Sequence, residues 1–266
     1  MSTLSNLAYI HPEAKIGKNV IIDAFAFIDK NVEIGDGTHI HPHVSILSGA
    51  RIGKNNEIFE NAIISASPQD FRWKGEDSFV VIGDNNKIRE QVIINRSILL
   101  NGKTEIGNNS FIMAQTHIGH DSKIGNYCVL GNAVKIAGDV EIGNYCILSS
   151  NALVHEKCHL GEWVLIKGGC RVNGHVPPFA VMAHNPISYF GVNAYVLKKA
   201  KKSDHTIDDI AKCYRHVYQT GTSVFNALRR IKEDVDPSSE RDSIISFIEM
   251  HKNNLSAVPI RDSEDY

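Results

Sequence analysis

The chain has 266 residues, with 28 basic and 30 acidic side chains, a formal net charge of −2 and a hydrophobic share of 42%. This balance is ordinary for a soluble protein and gives no global pull toward nucleic acid or a membrane surface. No basic start followed by an apolar run opens the chain, no apolar stretch approaches 18 residues, and the five cysteines are an odd number. The expectation is therefore a cytoplasmic protein with reduced thiols, without signal peptide, spanning helix or disulfide framework.

From Ile10 an aliphatic residue recurs every six positions through Ile64, and the series resumes at Ile82 and runs through Leu100, Ile106 and Ile118 to Val172, 26 positions in all. Two residues earlier the chain is often small, as at Ala26, Ala50, Ala62, Thr104, Ser110, Thr116, Cys128 and Cys146. A period of six fits neither an α-helix nor an alternating strand. It predicts an all-β solenoid, a parallel β-helix built of hexapeptide repeats with large and small residues sharing a narrow triangular interior.

A slower period gives the coil. Aliphatic-Gly pairs at 16–17, 34–35, 52–53, 106–107, 124–125, 142–143 and 160–161 fall mostly 18 apart, three hexapeptides per turn, with glycine expected at corners of positive φ. Around the further pair at 82–83 the spacing lengthens, which predicts two expelled loops, one within Ser65–Val81 and a shorter one within Asn95–Thr104. Loops on a regular scaffold tend to carry function. Stacked Cys128 and Cys146 read as small interior fillers, and His39, His41 and His43 as surface residues around a corner.

His120 and Gly138 lie one coil apart with no loop between, so they should stack as a base beside a backbone N–H. A hydroxyl becomes a good nucleophile when a base takes its proton, and a tetrahedral oxyanion needs a donor.

Val176-Pro177-Pro178 is expected to stop the inner strands. Beyond it the pattern turns helical: one helix after Thr206 through Ile207, Ile210, Tyr214 and Val217, a second from about Ser223 to Val235, and a third from Ser238 or Ser239. The division is a solenoid over 1–192 and a helical cap over 193–266. Lysines 198, 199, 201 and 202 with Arg229 and Arg230 form a basic cluster, either a solvated face or a dock for an acidic partner.

The segment His117-Ile118-Gly119-His120-Asp121, the loop Pro68-Gln69-Asp70-Phe71-Arg72 and Phe190-Gly191-Val192-Asn193 carry a resemblance that spans nearly the whole chain. It resembles the bacterial acyl-carrier-protein-dependent UDP-N-acetylglucosamine O-acyltransferases, the first enzymes of lipid A synthesis. The resemblance implies a left-handed β-helix assembled as a homotrimer with sites between subunits. The substrates would be a hydroxyacyl carrier protein, whose thioester makes any further cofactor unnecessary, and a UDP-sugar acylated at its 3-position. Residue by residue, it implies His120 as general base, Asp121 as its orienting carboxylate and Gly138 as oxyanion donor. Gln69, Asp70, Arg72, His117, His155, Glu156, Asn193 and Lys199 would contact substrate, and Gly168 would limit acyl length. No metal is implied. The chain departs from the family pattern with Arg72 for lysine, Asp139 for histidine, Glu156 for glutamine, Pro186 for histidine, Tyr195 for an acid and Ala200 for arginine.

Rival readings are an N-acyltransferase on an amino sugar, a zinc hydratase drawing on His117 and His120, and a trimeric solenoid that only binds. The zinc reading requires three convergent histidines. In-register His120, Asp121 and Gly138 speak against the non-catalytic one.

Overall fold

A computed structural model describes residues 2–257. Residues 3–172 wind into coils of three short strands, most of them two residues long. Each strand pairs in parallel with its counterpart one coil away, as Ile58↔Ile88, Ile88↔Ile112 and Ile94↔Ile118 do. The prism therefore has three sheets, of 11, 9 and 8 strands, and its hand is left. The aliphatic beat forms one continuous core: Ile22, Ile28, Ile58, Ile88, Ile118, Ile136 and Leu148 are all sealed from solvent, with Ala26, Ala62, Thr104, Cys128 and Cys146 filling between them. Burial pushes the Cys128 thiol up to about 11, consistent with an inert filler.

The corners are turned by a residue other than the one expected. Left-handed φ falls on the third residue after each beat, at Asn19 (55°), Asn31 (54°), Asn85 (58°), Asn109 (55°) and Asp121 (60°). Asn and Asp tolerate that region because their short side chains can bond locally. The glycines directly after the beat are needed for a different reason. A Cβ on Gly35 would lie 2.5 Å from the carbonyl of Gly53 one coil away, so glycine there permits the close stacking of coils.

Both loops are expelled. Residues 67–78 separate the strands Ile63–Ala66 and Phe79–Ile82, and 96–102 separate Ile93–Asn95 from Lys103–Ile106. Leu100 keeps the beat only by coincidence: it rides on the second loop and is 68% exposed. At the other end, Pro177-Pro178 does not close the sheet. The strand Ala180–Ala183 continues the largest sheet beside Leu165–Ile166 and pairs antiparallel with Ser188–Val192. The prolines occupy the connecting turn, where no ladder N–H is required.

The cap comprises α1 (Ala194–Lys199), α2 (Asp204–Tyr218), α3 (Val224–Asp234) and α4 (Ser239–His251). Ser203, Ser223 and Ser238 cap the last three by accepting the N–H three residues on. The second helix thus begins before Thr206, whose N–H is the one that Ser203 receives. Buried Tyr214 donates its hydroxyl to the carbonyl of Pro178, tying α2 to the prism's last turn. The backbone of His175 exchanges hydrogen bonds with Asn254 and Ser256 (2.7 and 2.8 Å), pinning the chain beyond α4. The end of the expected cap, 258–266, lies outside the described residues. No helix among those described is long and apolar enough to cross a membrane.

Candidate active site

The site lies on one corner column of the prism, at the second residue after the beat. Successive coils place His120, Gly138 and Glu156 there. On the analogous column at another corner, each N–H is capped by a side chain of the next coil: Asp84 N–H by Asn108, Asn108 N–H by Asn126 and Asn126 N–H by Asn144, at 2.7 to 2.8 Å. His120 lies against Gly138 so closely that a Cβ there would come 2.4 Å from Cε1 and Nε2 of the ring. Among the described residues the Gly138 N–H meets no acceptor.

The imidazole of His120 is 8% exposed and has a carboxylate at each nitrogen. Nδ1 lies 2.8 Å from Asp121 Oδ2, and Nε2 lies 3.3 Å from Asp70 Oδ2. Asp121 N–H donates to Thr104 Oγ1 (2.8 Å), which steadies its left-handed backbone.

Asp70 belongs to the first expelled loop and is gripped by Arg72 through Nε (3.0 Å), Nη2 (2.8 Å) and the backbone N–H (2.7 Å). These bonds hold the Asp70 carboxyl well below the usual carboxylate range. The Arg72 guanidinium is raised in turn by Asp70 first, and Asp139 and Glu156 add to the effect. Arg72, Asp139 and Glu156 therefore form one charge set with Asp70, which reaches the His120 imidazole. His117 sits one coil before Lys135 on the neighbouring strands, and burial first, then Lys135 and His120, lower its imidazole.

Other expected residues fall elsewhere in the chain. Gln69 is exposed on the first loop. His155 lines a cleft of about 710 Å³ with Arg171, Asn173, Asn185, Pro186 and Lys252. Asn193 is buried, and its side-chain amide donates to the carbonyl of Trp163 (3.0 Å). Lys199 lies 5.6 Å over the Tyr195 ring. A Cβ on Gly168 would meet the Ser150 carbonyl at 3.1 Å, a tight but open position. Much of the basic cluster already faces acids: Lys198 with Asp204 (2.9 Å), Lys202 with Glu240 (2.5 Å) and Arg229 with Glu233 (3.2 Å).

Three groups among the described residues bring metal-capable atoms within 4.8 Å of one another: His120, Asp121 and Asp139; Asp23, His39 and His41; and His159, His175 and His251. The first offers one imidazole and two carboxylates and does not include His117, so His117 and His120 are not joined in one such group, whereas the third consists of three histidines. In the third, His175 Nδ1 already accepts the His159 N–H (3.1 Å).

Ser97 was not singled out from the sequence. It lies on the second expelled loop, off the beat, where no spacing marks it, yet its hydroxyl reaches Asp121.

Comparison with known proteins shows the family. The family described as Udp N-acetylglucosamine O-acyltransferase, domain 2, matches residues 175–256, bacterial transferase hexapeptide repeats match 103–138, and the GMPPB C-terminal domain matches 4–104. An acyl-[acyl-carrier-protein]–UDP-N-acetylglucosamine O-acyltransferase of Thermodesulfovibrio yellowstonii is 35% identical over 256 residues, which is 96% of this chain and 99% of that protein. The crystal structure of a UDP-N-acetylglucosamine acyltransferase from Bacteroides fragilis has a TM-score of 0.91 at 44% identity, covering 97% of this chain and 99% of the other. That of the Francisella novicida enzyme has a TM-score of 0.89 at 36% identity, covering 98% and 95%.

Proposed function

Because the chain belongs to the acyl-[acyl-carrier-protein]–UDP-N-acetylglucosamine O-acyltransferases, we propose that it transfers a 3-hydroxyacyl chain to the 3-hydroxyl of UDP-N-acetylglucosamine with His120 as general base. It is an acyltransferase of lipid A synthesis, and its acyl donor is a carrier-protein thioester. The observation that carries the mechanism is the His120 ring, held at Nδ1 by Asp121 and lying against the unpaired Gly138 N–H.

Asp121 accepts a hydrogen bond from Nδ1–H, which leaves the Nε2 lone pair for the sugar hydroxyl. The sugar oxygen attacks the thioester carbonyl as Nε2 takes its proton, and the Gly138 N–H donates to the oxyanion that forms. Collapse breaks the C–S bond, and the departing thiolate recovers the proton from the imidazolium. In the free enzyme Asp70 stands 3.3 Å from Nε2, where it can receive a hydrogen bond from the incoming sugar. The thioester already carries the activated acyl group, so no cofactor is assigned to the step. Gly168 is proposed to leave room for the far end of the acyl chain.

The enzyme is further proposed to act as a cytoplasmic homotrimer. His155, Asn193 and Lys199 make no hydrogen bond or ion pair with His120 or Asp121 among the described residues. A neighbouring subunit would give them a common site.

The test is transfer from a panel of acyl carrier proteins to UDP-N-acetylglucosamine and to its 3-amino analogue. The hydroxyl acceptor should be used, and His120→Ala should lower kcat by about 10²–10⁴-fold with the melting temperature retained. Near-normal kcat in that variant would remove His120 from the chemistry.

A further inference from the structure

We infer that Ser97 is a positioning residue for acyl transfer, acting through Asp121 on the general base. The inference rests on the assignment of His120 and Asp121 as the catalytic pair. Asp121 receives three donors among the described residues. Oδ2 takes the His120 imidazole at 2.8 Å and the backbone N–H of Ile98 at 3.1 Å, while Oδ1 takes the hydroxyl of Ser97 in a short hydrogen bond. A carboxylate with donors on both oxygens cannot rotate about its Cβ–Cγ bond without breaking one of them, so the plane that faces Nδ1 is set by the loop.

The direction of the Ser97 hydroxyl is settled by its other partner. Ser97 Oγ accepts the Leu99 N–H at 2.9 Å, a local turn contact that uses a lone pair and leaves the proton for Asp121. The turn contact alone would need no acid beside it. Ser97 is fully buried, and Gly102 makes space for it, since a Cβ there would come 2.2 Å from Oγ. The loop is braced in turn: Ser78 Oγ donates to the Ser97 carbonyl (2.6 Å), Arg96 N–H to the Ala66 carbonyl (3.0 Å), and Asn95 Nδ2 to the Ser67 carbonyl (2.7 Å).

The two expelled loops thus serve opposite nitrogens of one imidazole. The first presents Asp70 to Nε2, and the second holds Asp121 toward Nδ1 through Ser97 and Ile98. Orientation of a base within a few tenths of an ångström is what a second layer of hydrogen bonds supplies.

The experiment places Ser97→Ala and Ser97→Thr in the wild-type enzyme and in Asp121→Ala, and measures kcat, KM for UDP-N-acetylglucosamine and melting temperature. Ser97→Ala should lower kcat about tenfold, the scale of one charge-assisted hydrogen bond, with KM within about twofold and the melting temperature retained. Ser97→Thr should restore most of the rate. In the Asp121→Ala background Ser97→Ala should cost nothing further, because its partner is gone. Should the alanine variant not fold, Ser97→Cys, a weak donor of similar size, takes its place. An equal loss in both backgrounds, or a loss that tracks melting temperature, overturns the inference and makes Ser97 structural. Unchanged kcat in Ser97→Ala beside a slow Asp121→Ala overturns it and leaves the catalytic pair standing. Full activity in Asp121→Ala overturns the pair itself, and Ser97 falls with it.

Discussion

The prism and the helical cap are held together by different means. In the prism every coil repeats the same contacts: an aliphatic residue in the interior, a ladder N–H bonded to the coil one turn on, and a left-handed corner. Corner positions carry none of that burden, so His120, Asp121 and the Gly138 N–H can occupy them without loss of the aliphatic core. The cap has no such lattice. Its helices depend on their own serine caps, on buried faces such as Ile207, Ile210 and Ile231, and on a few unique ties such as Tyr214 to Pro178. The proposed catalytic column therefore belongs to the region where function and stability are most separable.

That contrast can be broken most forcefully in the core. Ile136→Ala removes a fully buried side chain stacked between Ile118 and Val154. It should cost about 2–5 kcal/mol, seen as a lower melting temperature, while His120→Ala, at a corner position outside the aliphatic beat, keeps its melting temperature. Comparable destabilisation by the two would show that the outward column is part of the fold.

A smaller effect belongs to the cap. Ser223 accepts the Asn226 N–H at 3.3 Å, and Ser223→Ala should cost about 1 kcal/mol. The loss should appear as earlier exchange of amide protons in α3 while the prism amides stay protected. Uniform acceleration across the chain would mean that cap and prism unfold as one unit.

The gentlest probe is pH at the junction. Burial first, then His251 and His159, lowers the His175 imidazole to about 4. The unfolded chain, with an ordinary histidine value of about 6.5, binds the proton more readily than the folded one between those values. Stability should therefore rise with pH across that window and fall as pH drops from about 6.5 toward 4, levelling below. His251 is lowered also, with burial the chief cause, and adds in the same direction. Melting temperature followed from pH 7 to 4.5 should decline, and His175→Gln should flatten the slope. An unaltered slope in that variant would place the titrating group elsewhere.

Much of this was legible in the residues because a solenoid applies one steric rule every six positions. The aliphatic beat, the 18-residue coil, the two expelled loops and the stacking of His120 on Gly138 all follow from counting. Where the lattice lapses, counting misleads. Leu100 keeps time yet lies on a loop, and the strand Ala180–Ala183 extends a sheet past two prolines. The glycines after each beat are detectable, but their role is to admit the next coil, a contact between residues 18 apart that no local turn rule describes.

The sequence by itself determined the scaffold, the register that stacks His120 on Gly138, and the family, since each depends on spacing along one chain. Only the tertiary structure decided how the His120 imidazole is held. Asp70 reaches Nε2 from 50 positions earlier and Ser97 reaches Asp121 across 24, each on a loop with its own irregular path. A hydrogen bond needs its partners within about 3 Å, and where the chain has left the repeat, only its folded course brings them that close.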